Sequence, residues 1–173
     1  MRPSRHLALS TVAGGAVWAI TGEPLALPLT VGAGVLVDVD HSPDLWWNLA
    51  LRREPVAVYL LHSWEWLAGL MVVGVLTGSP WWLSAVVVGF GLHLLTDHLF
   101  NHGGRWSYSL IYRASKGFRM AKLAPGWEVD QTYEVLRKEV PVAVMLIEWW
   151  RRRSPSPVRS AAPNRRHQTD VDD

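Results

Sequence analysis

The sequence predicts an all-α fold, a polytopic helical membrane bundle of about four transmembrane helices with a polar, partly disordered C-terminal tail. Three observations predict it. Val, Leu, Ala, Gly and Trp dominate the chain up to about residue 101, this part divides into four apolar segments, and the basic residues of the short connections fall on alternate sides. Lys and Arg number 4 against 7 Asp and Glu in residues 1–101, and 13 against 8 in residues 102–173, so an acidic apolar part precedes a basic tail. An ionised side chain near the bilayer centre costs at least about 2.5 kcal/mol on the mildest scales. The carboxylates of the apolar part therefore call for a compensating cation or for a place at the water interface.

The first segment, Leu7 to Thr21, follows a basic start and could pass for a secretory signal; the apolar segments behind it favour a retained helix. The second is Leu25 to Val37. Joined to the first as one helix it would run to about 45 Å or more, beyond a hydrocarbon core of roughly 30 Å. Gly22, Glu23 and Pro24 supply the break, so a hairpin of two short helices is predicted. Val56 to Thr77 and Trp81 to Phe100 are each long enough to cross, since a span takes about 20 residues.

Positive charges in short loops favour the cytoplasm. Arg2 and Arg5 precede the first segment, Arg52 and Arg53 lie between the second and third, and the tail is basic, whereas the turns near Glu23 and Ser79 carry neither Lys nor Arg. The expectation is a multi-pass protein of the inner (cytoplasmic) cell membrane with both termini cytoplasmic. Trp81 and Trp82 then fit the outer aromatic belt, and Trp46 and Trp47 the inner one. Residues 1–102 form the transmembrane unit. Residues 103–153 read as a membrane-surface segment; its helix-like stretch, Thr132 to Trp150, is interrupted by Pro141, and ends as an interfacial helix at Arg151 to Arg153 or as a helix packed on the bundle. Residues 154–173, rich in Pro, Ser and charge, read as disordered.

With no cysteine, disulfides and thiolate metal sites are excluded. Six of the seven histidines precede residue 103. On the expected topology His6, the Asp38, Asp40, His41 group, His62, and His93 with Asp97 all lie toward one side of the membrane. His93 and Asp97 are four apart, so on a helix they share a face and can converge on one ion; a buried hydrogen-bonded pair is the alternative. Asp38 and Asp40 are two apart at the end of a helix, where acids oppose its dipole, and with His41 they offer the oxygen and nitrogen donors that Zn²⁺, Mn²⁺ or Fe²⁺ accept. Zn²⁺ is the expected ion. His62 and Glu65 are three apart: His62 is read as a ligand, and Glu65 as the catalytic base or as a partner of Arg52 or Arg53. His6 is a ligand or a surface residue. Asp44 reads as a turn residue, His98 and His102 as interface residues, and His167 is given no role.

These pieces resemble a family, the membrane-bound metal-dependent hydrolases typified by YdjM-like inner-membrane proteins. The resemblance covers roughly residues 5 to 101. It is carried by His6, by Val37-Asp38-Val39-Asp40-His41 where that family has Pro-Asp-x-Asp-His, by His62-Ser63 where it has Thr-His-Ser, and by Gly89, His93 and Asp97 where it has Gly-x3-His-x3-Asp. Val37 and Leu61 depart from the pattern, and the upstream Arg-Gly has no counterpart other than Arg52 and Arg53. The resemblance implies a metal-dependent hydrolase; a site at the cytoplasmic ends of the helices is compatible with a lipid or a phosphoester at headgroup level, with Arg105, Arg113, Lys116 and Arg119 available to attract an anionic headgroup or serving only as positive-inside charges. The other class left open is a non-catalytic, metal-binding membrane scaffold. Membrane lipids and a divalent metal ion are the expected partners. No Ser-centred elbow, phosphate-binding Gly loop or nucleic-acid-binding motif points elsewhere.

Overall fold

The computed structural model describes residues 3–50, 55–101, 103–125 and 129–153. Arg52, Arg53, His102 and the tail 154–173 lie outside the described residues, so the expectation of a disordered tail falls there too. The described chain is all-helical, with one isolated bridge between Val56 and Arg119 and no strand.

Helix α1, Pro3–Thr21, opens on a proline, whose missing N–H is no loss in a first turn. The chain reverses over residues 22–25 into α2, Ala26–Val35, giving the hairpin that the Gly-Glu-Pro break predicts. A 3₁₀ turn, Leu36–His41, leads through the short α3, Ser42–Leu45, to a π turn, Trp46–Ala50. After a non-helical stretch come α4, Trp64–Leu76, and α5, Trp81–Phe100. The remaining helices are α6, Leu110–Ser115; α7, Met120–Leu123; α8, Val129–Glu139; and α9, Pro141–Arg153, which Pro141 opens.

Helices α1, α2 and α5 each pack against the other two, as one unit. Two glycines let them approach: a Cβ on Gly89 would overlap the Thr30 carbonyl, and one on Gly34 would overlap the Ser10 hydroxyl. Backbone therefore lies against backbone where α2 crosses α5. Val37, Phe90, Leu94 and Tyr108 form the adjoining core, with Trp64 and Leu67 of α4 against it. Helix α9 packs on α8 through Ile147, Tyr133 and Leu136, and Trp150 meets Trp46 at 4.8 Å.

The expected third span needs correction. Of Val56 to Thr77, only the thirteen residues of α4 are α-helical, about 20 Å of rise, short of a hydrocarbon core. Residues 55–63 are instead held out of helix, with a bend at 60–62, because tertiary partners take their backbone groups: Ala57 N–H donates to Phe118 O (2.8 Å), Met120 N–H to Pro55 O (3.0 Å), Tyr59 N–H to Asp44 Oδ2 (3.0 Å) and Leu61 N–H to Asp40 Oδ2. Helix α1 has the length of a span, but Arg5, His6, Ser10 and Thr11 dilute its apolar character. Among the described residues one helix, Trp81–Phe100, is long and apolar enough to cross a membrane, so helix length does not support four spans.

Candidate metal centre

His6 enters from the first turns of α1, Asp38, Asp40 and His41 from the 3₁₀ turn after α2, His62 from the end of the non-helical stretch, and His93 with Asp97 from α5. The hairpin brings the start of α1 and the end of α2 to the same end of the unit, where the last turns of α5 also lie. His6, His62, His93 and Asp97 are all at most 2% exposed. Two groups of donor atoms each lie within 4.8 Å of one another: those of His6, Asp38, His93 and Asp97, and those of Asp38, His41, His62 and Asp97.

The inner distances are those of a coordination shell. His62 Nε2 and His93 Nε2 are 2.9 Å apart. Asp38 Oδ1 lies 3.6 Å from each, and Asp97 Oδ2 lies 3.5 Å from His93 Nε2 and 3.8 Å from His62 Nε2. A tetrahedral ion with bonds of about 2.0 to 2.2 Å separates its donors by about 3.3 to 3.6 Å. The Asp38 and Asp97 distances to His93 match that spacing, while the two Nε2 atoms lie closer, so the group could hold a metal ion through nitrogen and oxygen donors once the two rings move slightly apart.

Surrounding groups orient these donors. His93 Nδ1–H donates to Gly34 O at 2.8 Å, which fixes the tautomer and turns the Nε2 lone pair inward. His62 Nδ1 lies 3.6 Å from Asp40 Oδ2, an outer carboxylate behind the ring. His6 Nε2 lies 3.0 Å from Asp97 Oδ1, and its Nδ1 is 3.4 Å from the Thr96 hydroxyl. His41 packs against His62 and Tyr59.

The titration of the groups on the turn and the non-helical stretch follows from this crowding. Burial opposes the charged imidazole of His62, but the carboxylates of Asp38 and Asp40 outweigh it and raise its pKa. Burial likewise opposes ionisation of Asp38 and Asp40, and their contacts with His62 overcome it, so both are lowered. His41 is pushed down to about 3, by burial first and by the neighbouring His62 second, which keeps it neutral and able to ligate at neutral pH.

Not every residue singled out in the sequence joins the cluster. The Glu65 carboxylate accepts from Ser109 Oγ (2.6 Å) and from Leu110 N–H (3.1 Å) and Ile111 N–H (3.3 Å), fastening the start of α6 to α4 instead of facing the donors. Asp44 holds Tyr59 N–H, and His98 packs between Trp64 and Tyr108. Arg113, a candidate for headgroup attraction, is fully buried: its guanidinium lies 4.3 Å above the Tyr59 ring and donates to Tyr59 O and, at 2.8 Å, to His62 O. It thus grips the backbone that carries His62. Nothing local in the sequence marks it, because its partners lie more than fifty residues away. Trp64 N–H to Tyr108 O (3.0 Å) adds to this grip, so residues 104–123 brace the donors.

The exposed edge of the cluster is narrow. The Asp38 side chain is 28% exposed and that of Asp40 14%. The aliphatic residues next to these donors in the chain, Leu36 and Val39 beside Asp38 and Leu60 and Leu61 beside His62, are all exposed and give the edge its aliphatic rim in sequence.

The chain matches no known family model, no curated protein and no solved structure.

Proposed function

We propose that this protein is a membrane-bound metal-dependent hydrolase that binds a divalent ion, Zn²⁺ first and Mn²⁺ or Fe²⁺ as alternatives, and acts at the cytoplasmic face on a lipid or another phosphoester-bearing amphiphile. The observation that carries the reading is the convergence of His62, His93, Asp38 and Asp97 at coordination distances behind an aliphatic rim. A divalent ion held by these residues would lower the pKa of a bound water toward about 7 and so would supply hydroxide at neutral pH. The chain's own part is to hold four donors, to fix His93 through Gly34, and to back His62 with Asp40. Glu65 serves here as a positioning group, since its carboxylate is engaged at α6.

The membrane setting is supported by α5 and by the outward side chains of α4, where Trp66, Met71, Val72, Val73, Val75 and Leu76 are all exposed. Contiguous apolar surface of this kind marks a lipid or protein contact. A reporter fused after Trp150 is expected to read cytoplasmic and one inserted at Ser79 external; a cytoplasmic Ser79 insertion would remove the inner-membrane orientation.

A second reading, a non-catalytic metal-binding membrane scaffold, is favoured by one observation: four protein donors are the number that closes a structural zinc site, whereas catalytic sites keep a position for water. Metal analysis of detergent-purified protein followed by assays on phosphodiester lipids separates the two. A stoichiometric metal and turnover, both lost in Asp97→Ala, support the enzyme. Stoichiometric metal with no turnover of any ester supports the scaffold, and full metal occupancy in Asp97→Ala would overturn both.

A further inference from the structure

We propose that the centre takes two divalent ions, bridged by the carboxylates of Asp38 and Asp97, with His6 and His93 on one ion and His41 and His62 on the other. The inference rests on the reading of the cluster as a metal centre and concerns how many ions it holds.

Its ground is the arrangement of the imidazoles. His6 stacks on His93 with ring centroids 4.1 Å apart, His93 meets His62 at 4.9 Å, and His62 meets His41 at 4.2 Å. The four rings form a row in the order His6, His93, His62, His41. One ion with bonds of about 2.0 to 2.2 Å can hold no two donors more than about 4.4 Å apart. The donor atoms themselves divide the same way: those of His6 and His93 belong to one group within 4.8 Å and those of His41 and His62 to another, and neither group holds all four imidazoles.

The carboxylates lie along the row in the manner of bridges. Asp97 Oδ1 is 3.0 Å from His6 Nε2, while its Oδ2 faces His93 Nε2 at 3.5 Å and His62 Nε2 at 3.8 Å. Its two oxygens thus address different parts of the row, as a carboxylate shared by two ions does. Asp38 belongs with Asp97 to both groups of donors that lie within 4.8 Å of one another, one containing His6 and His93 and the other His41 and His62. Two histidines and two shared carboxylates per ion is a complete set of nitrogen and oxygen donors, and metal pairs in two-ion hydrolytic sites lie about 3.5 to 4 Å apart. His62 Nδ1, buried and without a hydrogen-bond partner, adds a polar atom that the protein itself leaves unsatisfied beside Asp40.

The test uses the full-length protein in detergent, loaded with Mn²⁺ and freed of excess by dialysis. Bound metal per chain and the electron paramagnetic resonance spectrum are read on the wild type, His6→Ala and His41→Ala. The expected result is two Mn²⁺ per chain with the signature of an exchange-coupled pair, and in each variant one Mn²⁺ with an uncoupled six-line spectrum. One uncoupled Mn²⁺ per chain in the wild type, unchanged in both variants, overturns the pair and leaves the single-ion centre standing. Two ions that neither variant disturbs also overturn it, by placing the second ion elsewhere. Absence of bound metal in the wild type overturns the metal centre itself. Because the coupling is read on the wild type, a variant that fails to fold does not remove the test.

Discussion

The donors of the centre are positioned in two different ways. His6, Asp38, His93 and Asp97 hang on the α1, α2 and α5 unit, where helix backbones touch through Gly34 and Gly89. His62 hangs on residues 55–63, whose Ala57 and Tyr59 pack against Leu123 of the short helix α7 and whose backbone is tied by hydrogen bonds with Asp40, Asp44, Arg113 and the backbone near Phe118 and Met120. The difference teaches where each half is vulnerable. The helical unit is intolerant of added volume, and the non-helical stretch is intolerant of lost donors and acceptors.

The sharpest way to break the helical unit is Gly89→Ala. The new methyl would overlap the Thr30 carbonyl, a backbone atom that cannot rotate away, so α2 and α5 must separate. Overpacking costs typically about 1 to 3 kcal/mol, and a backbone obstacle belongs at the upper end. We expect a loss of about 3 kcal/mol in denaturant titration together with loss of bound metal. Unchanged stability and full metal content would show that the close approach is not what positions His93.

The non-helical stretch is tested next by Arg113→Met, which keeps bulk and removes the donors to Tyr59 O and His62 O. Hydrogen bonds to a charged group contribute about 1.5 to 3 kcal/mol, and loss of groups supporting a ligand lowers metal affinity about 10- to 100-fold. Competition with a chromophoric chelator should show that weakening, with Arg113→Lys between the variant and the wild type. Equal affinities in all three would mean that Arg113 does not set the position of His62.

Two smaller changes sharpen the contrast. Asp40→Asn keeps an acceptor for Leu61 N–H but removes the charge behind His62, and should lower metal affinity about tenfold with little loss of stability. Glu65→Gln weakens the fastening of α6 and should cost about 1 kcal/mol, the scale of a lost capping interaction, while metal content stays full. A fall in turnover of a hundredfold or more at full metal content would instead return Glu65 to the role of catalytic base.

How much of this was legible in the sequence follows the same division. The Gly-Glu-Pro break gave the α1–α2 hairpin, and with it the meeting of His6 and Asp38; the four-residue spacing gave His93 and Asp97 on one face. These are local signals, turn chemistry and helical period. The apolar run from Val56 misled, because a continuous run reads as helix while its backbone groups are taken by residues 44 and 118–120, whose proximity no local period records. The burial of Arg113 and the engagement of Glu65 were hidden for the same reason. Arg113 reads as a positive-inside or headgroup-attracting charge and Glu65 as a base or an ion-pair partner until the segment after residue 103 folds back against α4 and the stretch before it.

The aliphatic rim around Asp38 bears on how fast the centre can trade its metal. A hydrated dication must shed most of its water before it passes Leu36, Val39, Leu60 and Leu61, and stripping charge of solvent beside apolar groups is costly. Exchange in the folded protein should therefore be slow for hydrophilic chelators and faster for a planar aromatic one that partitions into the rim. On the proposed metal-centre reading, an ion would then load more readily before residues 55–63 close over the histidines than after.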